Sequence, residues 1–307
     1  MKHFLTLADL DSGTLREILE LAVQIKQTQR AGTSKAYLAD KVLGMIFQKP
    51  SLRTRVSFDV AMLQLGGNAL YLSPNEIQLG QRESTADVAR VISRYVDVVM
   101  ARVFGHHDVV ELAQHASVPI INGLSDYTHP CQGMADFLTI LEYKGGFDGK
   151  KLAYLGDGNN VATSLLFGAA LLGMDYTIAT PKHYALHPAT WLLGQRLAAQ
   201  TGAQLVATQD PIEAVTDADV IYTDTWTSMG QEEEAARRRL VFPAYQVNED
   251  KLRRARKDAI VMHCLPAHRG EEITDAVADG PNSAIFDQAE NRLHAQKAIL
   301  VWTLDAA

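Results

Sequence analysis

Cysteine is scarce in this sequence, and long apolar runs are missing from it. The two cysteines, at positions 131 and 264, have a spacing that fits neither a disulfide framework nor a zinc knuckle. Such sparse cysteine favours a reducing compartment. No apolar stretch approaches the roughly 20 residues that a membrane-spanning helix needs, and the first residues lack the pattern of a targeting segment. We therefore expect a soluble cytoplasmic protein without a membrane partner.

An excess of positive charge is also missing. The 307 residues include 29 Lys and Arg against 36 Asp and Glu, which gives a formal net charge of −7. Because binding along a nucleic-acid backbone normally requires a basic face, we expect no nucleic-acid partner. The one run of bases, Arg237 to Arg239, follows Glu232 to Glu234. This order is typical of a charged helix face with ion pairs three and four residues apart.

The hydrophobic pattern predicts parallel α/β structure. After a first amphipathic helix capped by Asp11 or Ser12, short apolar runs alternate with helix-like segments, as expected when parallel strands are buried on both faces. The predicted strands are Val42–Phe47, Ala69–Leu72, Val96–Val103, Val118–Ile121, Lys151–Leu155, Tyr176–Ala179, Gln204–Ala207, Val220–Thr223 and Ala259–His263. Predicted helices between them include Ser84–Tyr95, Asn160–Leu172 and Thr190–Thr201.

The order of these segments predicts two domains. Four predicted strands precede a long helix that begins near Pro130, and five follow the glycine-rich segment 145–149. We therefore expect an α/β fold of two parallel-sheet domains joined by the helix 130–144. Polar clusters follow strand ends in both halves, and ligands of such sheets bind beyond the carboxyl ends of the strands. The clusters together predict one active site.

The segment Ser51-Leu52-Arg53-Thr54-Arg55 joins a predicted strand to a predicted helix. Backbone N–H groups at a helix start, two hydroxyls and two guanidiniums suit a phosphate dianion. Alternatively, Ser51 only caps the helix and the arginines are solvated. Arg102 interrupts an apolar strand near its end, where its charge needs either a ligand or an internal acidic partner.

Three other motifs also admit a functional and a purely structural interpretation. His129-Pro130-Cys131-Gln132 opens a helix, where the imidazole could donate to a carbonyl oxygen and Gln132 could bind an amide, or where both could be structural. Asp224 to Gly230 offers a carboxylate for an ammonium group, or is merely a polar loop. Cys264, in His263-Cys264-Leu265-Pro266, could handle a proton beside an amine, or could be a small buried hydrophobic residue.

Two further classes of site receive little support. Gly156-Asp157-Gly158-Asn159-Asn160 is similar to a dinucleotide-binding loop but lacks its third glycine, so nucleotide binding is weakly indicated. His263, Cys264 and His268 lack the fourth ligand and the usual spacing of a zinc site. We expect neither a metal nor a nucleotide.

Taken together, these motifs resemble the ornithine carbamoyltransferase family. The family patterns match at Ser51 to Arg55, His129 to Gln132, Asp224 to Gly230, His263 to Pro266 and Glu290 to Arg292, in the same order and spacing over almost the whole chain. The resemblance implies two α/β domains with the active site in the cleft between them. Residues 1–148 would bind carbamoyl phosphate, with the C-terminal helix 287–307 packing back on them, and residues 149–286 would bind ornithine.

The resemblance also implies roles for single residues. Catalysis would depend on Arg102, His129, Asp224 and Cys264. Carbamoyl phosphate would contact Ser51, Leu52, Arg53, Thr54, Gln78, Arg102, His129, Gln132, Cys264, Leu265 and Arg292. Ornithine would contact Asn160, Asp224, Ser228 and Met229. Gln78 would reach the neighbouring subunit's site in a homotrimer or an assembly of trimers, and no metal or organic cofactor would be needed.

One departure from the family pattern is Leu52, at a position that is often threonine. Since this residue would act mainly through its backbone N–H, the exchange changes little. Other acceptors, namely putrescine, acetylornithine and aspartate, remain as alternatives, although the Asp-x-x-x-Ser-Met-Gly match favours ornithine. A non-catalytic anion-binding protein is an alternative of another class. The sequence leaves open whether the enzyme forms citrulline or breaks it down.

Overall fold

Residues 1–227 and 232–306 are described by the computed structural model, and the chain divides into two compact units. The first comprises Met1–Leu138 with Asn291–Ala307, and the second comprises Thr139–Glu290. The chain passes from one unit to the other within two helices, α6 at Pro130–Lys144 and α13 at Ile285–Thr303. In the described part of the chain, no helix has both the length and the apolar character to cross a membrane.

The first unit is built on four parallel strands: β1 (Val42–Phe47), β2 (Asn68–Leu72), β3 (Val98–Arg102) and β4 (Ile120–Leu124). They are hydrogen-bonded in the order β2-β1-β3-β4. Besides parts of α6 and α13, the helices of this unit are α1 (Ser12–Arg30), α2 (Leu52–Gln64), α3 (Pro74–Ile77), α4 (Thr85–Ile92) and α5 (His106–His115). Strand β3 is buried along its whole length, which accounts for its continuous apolar run.

Helix α1 begins at the predicted cap, because Asp11 Oδ1 accepts a hydrogen bond from the Thr14 N–H at 2.7 Å. Its apolar stripe is buried, as the spacing predicts. Lys26 lies among these buried residues, and its Nζ donates to Asn291 Oδ1 at 2.7 Å. This hydrogen bond ties α1 to α13 within the first unit, at the residue that precedes Arg292.

The second unit contains five parallel strands: β5 (Lys151–Leu155), β6 (Asp175–Ala179), β7 (Leu205–Thr208), β8 (Val220–Thr223) and β9 (Ile260–His263). Their order is β7-β6-β5-β8-β9. Its own helices are α7 (Asn160–Leu172), α8 (Pro188–Ala198), α9 (Pro211–Val215), α10 (Ala235–Val241), α11 (Glu249–Leu252) and α12 (Asp275–Ala278). Helix α7 is buried from Val161 to Leu172, and these residues are apolar except for Thr163 and Ser164.

Both sheets reverse their strand order beside a central strand. In the first unit the chain adds β2 on one side of β1 and then β3 on the other; in the second unit it adds β6 on one side of β5 and β8 on the other. Ligands of open parallel sheets bind at such a reversal, beyond the carboxyl ends of the strands. The segments that follow β1, β3, β5 and β8 are therefore the positions where a binding site is expected.

Most of the predicted elements are confirmed, some with shifted bounds. Strands β1, β5 and β8 and helix α7 have the predicted limits. Strand β3 is shorter than the predicted Val96–Val103, since Asp97 before it accepts hydrogen bonds from the Val42 N–H and from Lys41 Nζ, each at 2.9 Å. The prediction for β4 was wrong at both ends, because Asn122 and Gly123, which interrupt the apolar run, lie inside the strand.

Candidate active site

In the first unit, the chain between β1 and α2 forms a helix N-terminus. Ser51 is the N-cap of α2, and its Oγ accepts from the Thr54 N–H at 3.3 Å. The N–H groups of Leu52 and Arg53 belong to the first turn, which has no intrahelical acceptor for them. The Leu52 side chain is 77% exposed, so this residue can serve an anion only through its backbone. The start of α2 thus offers oriented donors and the positive end of a helix dipole.

The two arginines of this segment have different environments. Arg53 is exposed and lies close enough to His129 for its charge to act on the imidazole. Arg55 instead stacks on the Tyr71 ring, 4.0 Å from its centroid, and lies 3.9 Å from Asp59. The sequence interpretation that both guanidiniums serve one anion is therefore wrong for Arg55, which is engaged elsewhere on the unit.

The Thr54 hydroxyl links the β1–α2 segment to the rest of the cluster. Arg292, on α13, donates to Thr54 Oγ1 at 2.9 Å, and Arg102, at the end of β3, donates to the same atom at 3.4 Å. Ser51 Oγ lies 3.0 Å away. Thr54, Arg102 and Arg292 are all buried. Residues far apart in sequence thus form one cationic cluster at the strand-order reversal of the first sheet.

A β-bulge sets the direction of Arg102. The register of β3 against β4 shifts between Ala101 and Arg102, so that Gly123 is an extra residue on β4. Bulges of this kind redirect a side chain at the edge of a site. At Gly123 a Cβ would collide with the Met100 sulfur, which gives a packing reason for glycine within this strand.

His129 is held by a loop whose polar groups bond one another. Asn122 Nδ2 donates to the Leu5 carbonyl at 2.9 Å and lies within 3.3 Å of the hydroxyls of Ser125 and Thr128. The Ser125 N–H also donates to the Thr128 carbonyl at 3.0 Å. These bonds fix the chain immediately before α6. There the backbone carbonyl of His129 accepts from the N–H groups of Gln132 and Gly133. His129 therefore stands at a defined point of the site.

The environment of His129 keeps its imidazole neutral. Burial lowers its pKa well below 6.5, and the nearby charges of Arg292, Arg102 and Arg53 lower that pKa further. A neutral imidazole can donate one hydrogen bond without adding positive charge to a crowded cationic cluster. This is the state needed to polarise a carbonyl oxygen.

Gln132 is oriented by two charged neighbours. Its Nε2 donates to Asp136 Oδ1 at 2.7 Å, and its Oε1 accepts from Arg292 Nη1 at 2.9 Å. Asp136 lies one helical turn further along α6 and is completely buried. Because the carboxylate accepts and the guanidinium only donates, the two ends of the Gln132 amide cannot be exchanged without losing both bonds.

Gln78 stands outside this cluster. It is the C-cap of α3, has a left-handed backbone with φ of 39°, and is exposed. Within the described residues, its hydrogen bonds are made by its backbone alone. The single chain therefore does not bring Gln78 to the cluster of Thr54, Arg102 and Arg292.

In the second unit, the segment between β5 and α7 is shaped by a close approach of backbone. At Gly158 a Cβ would lie 2.6 Å from the Leu186 nitrogen and 2.7 Å from the Tyr184 oxygen. The Gly158 N–H also donates to that oxygen at 2.8 Å. The glycine thus accommodates the protein's own chain, which explains the likeness to a dinucleotide loop without a nucleotide.

Asn159 and Asn160 follow at the start of α7. Asn159 is the N-cap, and its Oδ1 accepts from the N–H groups of Val161 and Ala162, each at 3.0 Å. Asn160, the predicted ornithine contact, is the first residue of the helix and is half-buried. Both lie beside the strand-order reversal of the second sheet.

Asp224 follows β8 and its carboxylate is bonded on both sides. Oδ2 accepts from Asn159 Nδ2 at 2.7 Å, and Oδ1 accepts from the Thr225 N–H at 2.8 Å and from the Cys264 thiol at 3.0 Å. Asp224 is only 7% exposed. Asp224 and Cys264, two of the predicted site residues, are therefore in direct contact, and they lie where β8 and β9 end.

His263 supports the segment that contains Cys264 and Leu265. Its Nδ1 accepts from the Leu265 N–H at 2.8 Å, so the proton is on Nε2, which faces Glu272 Oε1 at 3.0 Å. The same Glu272 oxygen accepts from the His268 N–H at 2.6 Å. Glu272 and His263 are buried. This chain of hydrogen bonds fixes the backbone of Leu265, which has φ of 58°.

Asp224, His263 and Cys264 each bring one potential metal-ligand atom to within 4.8 Å of the others. The hydrogen bonds just described already use these groups, because the thiol donates to the carboxylate and both imidazole nitrogens have partners. The donor set thus forms a proton network by itself. His268 contributes its backbone N–H to this network, and its side chain groups with Glu271 and Glu272 rather than with His263 and Cys264.

Arg238 forms a buried ion pair with Asp157, whose carboxylate lies near that of Asp224. Its Nη1 donates to Asp157 Oδ2 at 2.6 Å and to the Trp226 carbonyl at 2.7 Å, and its Nε donates to Glu234 at 3.0 Å. Burial raises the pKa of Asp157, which the Arg238 charge opposes. The pair with Glu234 has the predicted four-residue spacing, and Arg238 is buried through its additional bond to Asp157.

Ser228 and Met229, the other predicted ornithine contacts, lie outside the described residues. The two cysteines differ in environment: Cys131 is completely buried, with its pKa raised to about 12 by burial, whereas Cys264 is half-buried beside Asp224. The structure also identifies three supporting residues that motif matching missed, namely Asp136, Asn159 and Glu272. Asn159 stands in the quoted Gly-Asp-Gly-Asn-Asn segment, and Asp136 is spaced four residues after Gln132, so both had a signal in the sequence.

The structure defines a class of protein: two parallel-sheet units, each with a polar cluster at its strand-order reversal. Comparison with known families identifies this class. A profile for the carbamoyl-P binding domain of aspartate/ornithine carbamoyltransferase matches residues 2–142. A profile for the Asp/Orn binding domain matches residues 148–303. The chain therefore belongs to the aspartate/ornithine carbamoyltransferase family.

Individual relatives show which members of this family the chain is similar to. A protein of Anoxybacillus flavithermus named ornithine carbamoyltransferase is 54% identical over 300 residues, covering 98% of this chain and 96% of the relative. A Pyrococcus furiosus protein named ornithine carbamoyltransferase, anabolic, is 54% identical over 299 residues, which are 97% of this chain and 95% of the relative. A solved structure of ornithine carbamoyltransferase from Pyrococcus furiosus superposes with a TM-score of 0.95 at 54% identity, covering 97% of this chain and 96% of that one.

Proposed function

We propose that the protein transfers the carbamoyl group of carbamoyl phosphate to the side-chain amine of L-ornithine, giving L-citrulline and phosphate. The observation that carries the proposal is the buried cluster of Thr54, Arg102 and Arg292 beside a neutral His129. This cluster suits a phosphorylated carbonyl compound. The names of the relatives, at 54% identity over nearly the whole chain, support ornithine as the acceptor.

The phosphate group would bind at the start of α2. The N–H groups of Leu52 and Arg53, the Ser51 and Thr54 hydroxyls and the guanidiniums of Arg53 and Arg102 supply its donors. We propose that Gln78 of a neighbouring subunit completes this set. Binding here neutralises the leaving group before the reaction begins.

The carbamoyl group would be held by His129, Gln132 and Arg292, with the backbone of Leu265 assisting. His129 donates to the carbonyl oxygen, and Arg102 and the Thr54 hydroxyl stabilise the negative charge that develops on it. The Gln132 oxygen, held towards Arg292, can accept from the carbamoyl NH2. The orientation of the substrate follows from donors and acceptors that are already fixed.

Ornithine would bind to the second unit. Asp224 and Asn160 would bind its amino groups, and Ser228 and Met229 would complete the set. The side-chain ammonium group, with a pKa of about 10.4 by analogy with lysine, must lose a proton before it can attack. Asp224 and the Cys264 thiol form the hydrogen-bonded pair that would stand beside this nitrogen.

The reaction then requires the amine and the carbonyl carbon to meet. Attack forms the C–N bond and a tetrahedral oxyanion, and collapse of that intermediate breaks the C–O bond to phosphate. Of the two protons that the ammonium nitrogen loses, one is taken up by the departing phosphate and the other is released to solvent. Carbamoyl phosphate is already activated, so the step needs no metal or organic cofactor.

Each part of the chain is assigned one of the two substrates. We propose that residues 1–148 with the C-terminal helix 287–307 bind carbamoyl phosphate, and that residues 149–286 bind ornithine. The grouping of Asn291–Ala307 with the first unit and the bonds from Arg292 to Gln132 and Thr54 support the first half of this proposal. The two family profiles, over residues 2–142 and 148–303, support the division near residue 148.

The test of the reaction compares acceptors. Citrulline or the corresponding carbamoyl product is measured colorimetrically from carbamoyl phosphate with ornithine, putrescine, acetylornithine or aspartate. Turnover with ornithine alone is the expected result. Turnover with another amine would refute the assigned acceptor, and carbamoyl phosphate binding without turnover would favour an anion-binding protein.

We also propose that active sites are shared between subunits of a trimer, because Gln78 is exposed and makes no side-chain bond in the described part of its own chain. Gln78→Ala and Arg53→Ala proteins should each be inactive. After dissociation and mixing, reassembled trimers should regain part of the activity, since some sites then receive both intact residues. Trimers without recovered activity would contradict a shared site.

A further inference from the structure

The amide of Asn159 is bonded at both ends. Its Oδ1 accepts from the N–H groups of Val161 and Ala162, and the Tyr154 hydroxyl lies 3.3 Å from the same oxygen. Its Nδ2 donates to Asp224 Oδ2 at 2.7 Å. One side chain therefore both caps α7 and contacts the carboxylate.

These partners determine which way the amide faces. Backbone N–H groups and a tyrosine hydroxyl supply protons to Oδ1, and burial raises the pKa of Tyr154 well above 10, so that its proton stays in place. A flipped amide would direct its NH2 at the two N–H groups and its oxygen at the carboxylate, losing the bonds at both ends. The cap of α7 thus forces the NH2 group towards Asp224.

The carboxylate of Asp224 is consequently held in one plane. Asn159 bonds one oxygen, while the Thr225 N–H and the Cys264 thiol bond the other. Hydrogen bonds to both oxygens of a carboxylate restrict its rotation, and bonds to a charged acceptor are roughly twice as strong as neutral ones. Asp224 can then offer its remaining lone pairs to an ammonium group in one direction only.

We propose that Asn159 is a positioning residue for ornithine binding, because its amide fixes the orientation of the Asp224 carboxylate. The inference rests on the proposed function, since Asp224 is the residue assigned to the amine. It adds a residue to the ornithine site that acts through another side chain. It also couples that site to helix α7, whose first residue is Asn160.

The test separates capping from donation. In Asn159→Ser the hydroxyl can still cap α7, since serine is a good N-cap, but it cannot reach Asp224 with an NH2 group. In Asn159→Asp the cap and the size are kept, and a second carboxylate replaces the donor. Asn248→Ser is the matched control, because Asn248 is also an N-cap of the second unit, accepting from the Lys251 N–H at 3.2 Å.

We expect Asn159→Ser to raise the KM for ornithine by about 10-fold to 100-fold, the usual effect of losing a hydrogen bond to a charged group. The Kd of carbamoyl phosphate, measured without ornithine, should stay unchanged. Asn159→Asp should also move the pH profile of kcat/KM to higher pH, because two adjacent carboxylates retain a proton. Among the described residues, the other titratable groups facing Asp224 are Cys264, His263, Asp157 (paired with Arg238) and Tyr154, which are the same in all variants.

A second readout does not depend on turnover. Cys264 donates to Asp224, and Cys131 is completely buried, so alkylation by iodoacetamide reports mainly on Cys264. At alkaline pH, Asn159→Asp should be alkylated more slowly than the wild type, because an added negative charge disfavours the thiolate. If the wild-type protein formed no citrulline, the proposed function would fail, and this comparison would still test Asn159.

Two results would overturn the proposal. Asn159→Ser and Asn159→Asp could behave like Asn248→Ser in ornithine KM and in alkylation rate, in which case the contact with Asp224 has no role. Alternatively, the Kd of carbamoyl phosphate could weaken by the same factor as the ornithine KM, which would mean that Asn159 serves only the general fold.

Discussion

The Thr54 hydroxyl is completely buried and lies within hydrogen-bonding distance of Ser51, Arg102 and Arg292. Two of these neighbours are cations, so their positions depend on a neutral acceptor that does not cancel their charge. An aspartate in place of Thr54 would neutralise the guanidiniums and repel a phosphate. A threonine holds them together and leaves their charge available to an anion.

Thr54→Val should therefore weaken carbamoyl phosphate binding with little change of shape. Valine has nearly the same size but accepts no hydrogen bond, so Arg102 and Arg292 each lose a partner. We expect the Kd to rise by about 10-fold to 100-fold. Isothermal titration calorimetry without ornithine measures this effect apart from catalysis.

Thr303→Val provides the control for that experiment. Thr303 is also buried in the first unit, but its Oγ1 has no hydrogen-bond partner among the described residues. Its replacement should leave the Kd unchanged. An equal loss of affinity in both variants would mean that the Thr54 hydroxyl does not organise the cluster.

At the scale of single residues, the motifs indicated where polar side chains gather, but not which partner each side chain meets. Arg102 is the last residue of β3, which the hydrophobic pattern located, and His129 directly precedes α6, whose start the motif with Pro130 marked. Arg55 was interpreted wrongly, since the sequence does not show that the Tyr71 ring lies beside it. The spacing predicted the pair of Arg238 with Glu234, but not its second partner, Asp157. The donor of a hydrogen bond can be read from a sequence, but the acceptor it meets depends on folding.

The β5–α7 connection illustrates how an element is shaped by its neighbours. Gly158 lies against the backbone of residues 184–186, and Asn159 directly after it both caps α7 and contacts Asp224. Because backbone atoms cannot move aside as a flexible side chain can, the connection depends on the absence of a Cβ. A displacement of the β5–α7 connection would therefore also move the contact between Asn159 and Asp224.

Gly158→Ala should consequently lower stability and ornithine affinity together. The added Cβ would lie 2.6 Å from a backbone nitrogen, and we expect the free energy of unfolding to fall by about 1–3 kcal/mol, as in other overpacked sites. The KM for ornithine should rise, because Asn159 moves with the loop. Urea denaturation and steady-state kinetics measure the two effects.

Gly146→Ala is the matched control in the same unit. A Cβ at Gly146 would meet nothing within 4 Å, so stability and ornithine KM should both remain near the wild-type values. A Gly158→Ala protein as stable as this control, with normal kinetics, would refute the role given to the close approach.

Elements were predicted reliably where burial is uniform. Strands β1, β5 and β8 match their predicted bounds, since an apolar run flanked by turns marks both ends. Strand β4 was misplaced because buried polar residues break that pattern: Asn122 is hydrogen-bonded inside the unit, and Gly123 is the bulge residue. Analysis of the hydrophobic pattern cannot locate a strand that contains polar residues and glycine, because it recognises strands by their apolar runs.

The burial of His129 has a consequence for the stability of the whole protein. Its folded-state pKa is well below 6.5, whereas in the unfolded chain it should titrate near 6.5. Below this pH the unfolded state binds a proton that the folded state does not, so stability falls as the pH falls. The slope for one such group approaches about 1.4 kcal/mol per pH unit.

His129→Asn should remove this contribution. Between neutral and mildly acidic pH, the free energy of unfolding of the wild type should decrease more steeply than that of the variant. His3 and His106 also have lowered pKa values, but they are present in both proteins and cancel in the difference. Urea titrations across this range measure the slopes, and parallel curves would contradict the assignment.

At the scale of the whole molecule, the prediction of two parallel-sheet units is confirmed, and each unit has its polar cluster at a strand-order reversal. The alternation of apolar runs and helices was sufficient for this result. The strand order itself could not be deduced, because the same alternation fits several orders of parallel strands. The family motifs supplied a further prediction that the pattern could not, namely that the polar clusters of both units serve one reaction.

Leu52, at the first position of α2, has a side chain turned to solvent while its backbone faces the expected phosphate. Natural selection can act on such a position only through the main chain, which almost any residue supplies equally well. Threonine and leucine should therefore replace one another there by neutral drift, whereas the neighbouring Ser51 and Thr54 stay under purifying selection. In this segment, the substitution rate at each position would therefore indicate whether the reaction uses the side chain or only the backbone.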